Sequence, residues 1–100
     1  MQLIQRIAEV INRIPGQILV TGHTDSDPIT GSLLFRYQSN WDLSQKRAES
    51  IVALLTQHLE SPNRVIAEGM ADTRPIVPND TPINKSKNRR VEITLFRSVQ

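Results

Sequence analysis

Three segments in a fixed order constrain this chain most: a short apolar strand, a long amphipathic helix and a second short strand. Gln17-Ile18-Leu19-Val20-Thr21-Gly22 carries β-branched residues and is apolar on both faces, the pattern of an inner strand. From Trp41 to Leu59, Leu43, Ile51, Leu55 and Leu59 form an i, i+4 row, and Val52 and Leu54 widen the stripe. Ser61-Pro62-Asn63 ends that helix, and Arg64-Val65-Ile66-Ala67-Glu68-Gly69 follows as a strand. Strand, helix, strand implies a parallel pair joined by a right-handed crossover. The expected class is α/β, an α+β two-layer sandwich with a mixed sheet and helices on one face.

The remaining segments fill in around that unit. Leu3, Ile4, Ile7, Ala8, Ile11 and Ile14 recur at helical spacing until Pro15-Gly16, which predicts a helix from about Leu3 to Arg13. Residues 24–40 have no period and hold Asp25, Ser26, Asp27, Pro28, Gly31, Ser39 and Asn40, a loop composition. Loops of that length in a small domain usually carry function. A second loop, residues 70–82, contains Pro75, Pro78 and Pro82, and one helical turn is expected between Ile83 and Asn88. Val91, Ile93 and Leu95 then alternate with Glu92, Thr94 and Phe96, a final strand with one face buried. It should run antiparallel to one of the first two. One hundred residues suit one domain, expected to span residues 1–100.

Several chemistries are excluded early. No apolar run approaches the roughly 20 residues of a membrane span, and the start is too polar for a signal peptide. Cysteine is absent, so there are no disulfides, thiolate nucleophiles or thiolate metal sites. His23 and Asp25 alone are too few for a metal site, and no metal is expected. The serines lack a Gly-x-Ser-x-Gly elbow, and no glycine-rich phosphate loop occurs. The first fifty residues balance five basic against five acidic side chains, so the net charge of +2 arises in the second half. With a surplus that small and four aromatics in all, nucleic acid is not an expected partner.

Arg47 is the informative residue. It sits between Leu43 and Ile51 in the apolar row of the long helix, four residues from each. A guanidinium there snorkels to water, pairs within the fold, or waits for a carboxylate-bearing ligand, which its planar fork grips through two hydrogen bonds. Gly22-His23-Thr24-Asp25 lies where the first strand runs out, the usual ligand position in an open α/β sheet. Asp25 either caps a turn or offers its charge to an amine. The cluster Lys85, Lys87, Arg89 and Arg90 reads as a solvated surface, or as attraction for an anionic polymer. Arg89 and Arg90 precede a buried strand, so one of them should point inward.

Three stretches together resemble the OmpA-like peptidoglycan-binding domain: Gly22-His23-Thr24-Asp25, Asn40-x-x-Leu43-Ser44-x-x-Arg47-Ala48-x-x-Ile51, and Asn88-Arg89-Arg90-Val91-Glu92-Ile93. Ile51 stands where that family usually has valine. Asp27-Pro28-Ile29, Ser39-Asn40-Trp41 and Pro78-Asn79-Asp80-Thr81-Pro82 are similar to inner-membrane-anchored members, the flagellar stator B subunits and the extended TssL proteins of type VI secretion. Ala67-Glu68-Gly69-Met70-Ala71-Asp72 and Leu43-Ser44-Gln45 look more like the TssL group.

The resemblance implies non-catalytic binding of the peptidoglycan stem peptide at meso-diaminopimelate, without a cofactor. Asp25 would take the ligand's ammonium and Arg47 its carboxylate, with Thr24, Asn40 and Leu43 shaping the pocket. It further implies a periplasmic domain of an inner-membrane-anchored protein in a Gram-negative bacterium, tethering a secretion machine to the wall. The alternatives are a flagellar stator anchor, or a module docking other envelope or secretion-system proteins. Family domains begin with a strand and an Asp-bearing loop before the first helix, whereas this chain opens at that helix. The sheet edge so exposed would favour pairing with a second copy, a homodimer.

Overall fold

The computed structural model describes residues 2–96. Six principal elements follow in order: α1 (Gln2–Arg13), β1 (Gln17–His23), α2 (Asn40–Thr56), β2 (Val65–Gly69), α3 (Pro82–Asn88) and β3 (Arg90–Phe96). β1 is central in a three-stranded sheet ordered β2-β1-β3. It pairs parallel with β2, Ile18 opposite Val65 through Gly22 opposite Gly69, and antiparallel with β3, Gln17 opposite Phe96 through His23 opposite Arg90. The expected parallel pair and the final antiparallel strand are both present.

Alternation along the strands sends Ile18 and Val20, with Ile93 and Leu95, to the face that the helices cover. There Ile4, Ala8 and Ile11 of α1 and Ala48 and Leu55 of α2 close the core. Leu59 is buried with them although α2 ends at Thr56, three residues earlier than the apolar row suggests. β3 is only half-buried on its apolar side. Ile93 and Leu95 line an apolar groove of about 350 Å³ against Ile7, Val10 and Ile11 of α1.

Two glycines set how closely α2 approaches the sheet. A methyl group on Gly22 would strike the Ser44 carbonyl, and one on Gly69 would strike the Gln45 backbone nitrogen. The helix therefore touches the strands backbone to backbone, and polar side chains pin it there. Ser44 Oγ accepts from the Ala71 amide at 3.0 Å, and Gln45 Oε1 accepts from the Gly69 amide at 2.8 Å.

Of the placements open to Arg47, the structure shows the solvated one, with no partner for it among the described residues. The buried face of α2 is Leu43, Ser44, Ala48 and Leu55, and Arg47 is exposed on its flank. Ser44 and Gln45 make the closest approach to the sheet, and at about 100° per residue position 47 falls between Leu43 and Ile51 on the side of the helix that borders the loop after β1. The loop after β1 also has an element that its composition did not suggest, a 3₁₀ turn at Gly31–Phe35.

Candidate functional site

The pairing of β1 continues past its end. The Met70 amide donates to the Gly22 carbonyl at 3.0 Å, and the Thr24 amide to the Ala71 carbonyl at 2.8 Å. Thr24 and Asp25 are thereby held buried at the strand's carboxyl end, 4% and 7% exposed. Thr24 Oγ1 donates to the Asp25 carbonyl at 2.8 Å.

Asp25 uses both carboxylate oxygens. Oδ1 accepts from the Asp27 amide at 3.0 Å, closing a local turn, and Oδ2 accepts from Arg89 Nη1 at 2.6 Å. Asp27 pairs with Lys85 Nζ at 3.0 Å, while its carbonyl accepts from Asn40 Nδ2 at 2.9 Å. The start of the loop is thus tied by two ion pairs to α3 and the residue that follows it, and to the first turn of α2 by an amide. Ser39 caps that turn, its hydroxyl accepting from the Asp42 amide at 3.3 Å.

Between these elements lies a cleft of about 180 Å³. Thr24, Asp25, Asn40, Leu43 and Arg47, the five residues singled out from the sequence, all line it, and Arg89 joins them. Pro28, Ile29 and Leu33 supply an apolar wall. Pockets for drug-sized ligands measure roughly 300–1,000 Å³, so this cleft suits the end of one side chain. Fixed charges of both signs beside an apolar wall can recognise a small zwitterionic group.

Sequence reasoning missed Arg89, which lines the cleft, and Lys85, which holds Asp27 at its edge. Both belong to the basic cluster read as solvated surface, and Arg89 finds its partner 64 residues away. The inward-pointing arginine of the pair is Arg90, its side chain 17% exposed, which donates to Glu92 Oε2 at 2.6 Å and to the Asn88 and Arg74 carbonyls. Asn88, fully buried, accepts from the Ile76 and Val77 amides and donates to the Val77 carbonyl and to Asn79 Oδ1, organising the second loop.

His23 follows Gly22 on β1 and lies on the sheet face opposite α2. It is 2% exposed and neither ring nitrogen makes a hydrogen bond, although Nε2 lies 3.5 Å from Glu92 Oε1. Burial, and then the nearby Arg90 charge, hold its pKa below the ordinary histidine value. The Glu92 carboxyl is held below its ordinary value chiefly by the Arg90 hydrogen bond.

A mixed three-stranded sheet, packed helices on one face and a charged cleft at the central strand's carboxyl end define an OmpA-like α+β domain. The chain belongs to the OmpA family, whose model matches residues 1–89. Motility protein B of Helicobacter pylori is 37% identical over 95 residues, covering 93% of this chain and 36% of that protein. YtxE of Bacillus subtilis is 42% identical over 97 residues, covering 96% of this chain and 39% of that protein. The chain therefore spans under two-fifths of the length of these relatives.

Among solved structures, the cell wall anchor of the type VI secretion system from Pseudomonas aeruginosa superposes with a TM-score of 0.85 at 43% identity. The match covers 97% of this chain and 66% of that one. The C-terminal domain of Helicobacter pylori MotB gives 0.82 at 33% identity, over 97% and 71%. Among the described residues no helix is long and apolar enough to cross a membrane.

Proposed function

We propose that this domain binds the peptide stem of peptidoglycan, at meso-diaminopimelate, and so anchors a membrane-spanning machine to the cell wall. The observation that carries the reading is the convergence of Arg47 and Asp25, 22 positions apart, on one small cleft with Thr24, Asn40 and Leu43. The far end of diaminopimelate carries an ammonium and a carboxylate on one carbon, which matches charges of both signs beside an apolar wall. Binding is non-covalent and needs no cofactor. In this reading the domain lies on the wall-facing, periplasmic side of an inner-membrane-anchored parent.

The machine is a type VI secretion system in this reading. Support comes from the 43% identity to the wall anchor of the Pseudomonas aeruginosa system, against 37% to motility protein B of Helicobacter pylori. A flagellar stator is the alternative, and the sequence flanking this domain in the full-length protein decides between them. A further reading, docking of an envelope protein, is favoured by Phe35, 93% exposed on the 3₁₀ turn beside the cleft, with Leu34 and Trp41 more than half exposed.

Co-sedimentation with purified sacculi tests wall binding against docking. Titration with a diaminopimelate-containing stem peptide, followed through backbone amide shifts, tests the cleft. Shifts centred on Thr24, Asp25, Asn40 and Arg47 are expected. Sacculus binding that a free stem peptide does not compete away refutes the assignment of the site.

A further inference from the structure

The charges of the cleft are not equally available. Asp25 already pairs with Arg89 at 2.6 Å and accepts the Asp27 amide, and Asp27 already pairs with Lys85 at 3.0 Å. Arg47, exposed at the rim, has no ion pair and no side-chain hydrogen bond among the described residues. An incoming ammonium must therefore share Asp25 with Arg89 or displace it, so its gain is offset by a weakened internal pair. An incoming carboxylate meets no such competition. It finds the whole fork of Arg47, and Arg89 keeps donors beyond the one it gives Asp25, since a guanidinium has five N–H groups. Both arginines line the same cleft.

We infer that the cleft is keyed to a free carboxylate, so that it selects stems whose diaminopimelate carboxyl is ionised and rejects those in which it is a carboxamide. The ammonium contributes less than the carboxylate. This rests on the stem-peptide reading above and refines it, because a symmetric zwitterion site would weigh both groups alike. Amidation removes the negative charge and replaces one acceptor oxygen by an NH2 donor, so the fork of Arg47 loses its two-oxygen, charge-assisted partner and keeps a single neutral acceptor.

The test uses the 100-residue chain and three tetrapeptide stems, followed by calorimetry and amide shifts. The first carries diaminopimelate with a free carboxylate, the second the same residue amidated, and the third an analogue whose terminal amine is replaced by hydrogen. Loss of a charge-assisted pair corresponds to about tenfold or more in Kd, so the amidated stem should bind at least tenfold more weakly than the acid. The amine-free stem should lose less than the amidated one. In Arg47→Ala the gap between acid and amide should shrink severalfold.

Equal binding of acid and amide by the wild-type chain overturns the inference while leaving the stem-peptide reading intact. A larger loss for the amine-free stem than for the amide overturns it in the same way. Failure of all three stems to bind removes the stem-peptide reading itself, and the carboxylate key with it.

Discussion

Arg47→Ala separates recognition from folding more cleanly than any other single change. The side chain is exposed on the flank of α2 and has no partner among the described residues, so its removal strips nothing from the core. Surface substitutions of this kind stay within about ±0.5 kcal/mol. For a domain this size 1 kcal/mol moves the melting temperature by roughly 4–8 °C, so the variant should melt within about 4 °C of the parent.

Binding should respond differently. A hydrogen bond to a charged group contributes about 1.5–3 kcal/mol, which is roughly 10- to 150-fold in Kd. The lower half of that range is expected, because the guanidinium sits at a solvated rim where part of its attraction is screened. Differential scanning fluorimetry and calorimetric titration with the stem peptide, on the same preparations, read both quantities. A melting point lowered by 10 °C with an unchanged Kd for the folded fraction would show that Arg47 serves the fold and not the ligand.

Gly22→Ala drives a methyl group into the Ser44 carbonyl, where no side chain can swing aside, and should destabilise the domain by about 3 kcal/mol in denaturant titration. Arg64 donates to the Ile11, Ile14 and Gly16 carbonyls where α1 ends. Arg64→Ala should accordingly cost about 2 kcal/mol, and a loss under 0.5 kcal/mol by chemical denaturation would discount that cap. His23, held neutral by burial, has a folded pKa below the unfolded value near 6.5, so the unfolded chain binds the extra proton. Stability should be flat above about pH 6.5 and decline below it until the folded pKa is reached. Glu92, its pKa also lowered in the fold, loses its contribution only as pH falls below the ordinary carboxylate range. Melting curves from pH 7.5 to 5 should slope for the parent and flatten for His23→Leu; parallel slopes would assign the acid sensitivity elsewhere.

What was legible in the sequence follows from how local each signal is. The period-2 and period-3.6 patterns lie within single segments, so β1, α2, β2 and their parallel order could be read directly. The close contact of α2 with the sheet was not legible because hydrophobic periodicity weighs large side chains, while the contact is made by Ser44 and Gln45 against Gly22 and Gly69. Close approach selects small residues, and a count of apolar residues cannot see them. The cleft was legible in part: Asp25 stands at a strand end and Arg47 four residues after Leu43, both local cues. The Arg89 and Lys85 ties to Asp25 and Asp27 span about 60 residues, and nothing in a run of basic residues says which acid it will meet.

The backbone contact of α2 with Gly22 and Gly69 works as a gauge. Its length is set by peptide groups, and no aliphatic side chain enters into it. Exchanging Ile18, Val20 or Leu55 for other aliphatic residues changes how firmly the layers adhere, but the stand-off between helix and sheet, and with it the span from Arg47 to Asp25, keeps its value. Interior composition and ligand geometry are therefore free to vary independently. A lineage can tune the domain to heat, salt or a new neighbour while the spacing of the charges around the cleft is inherited unchanged.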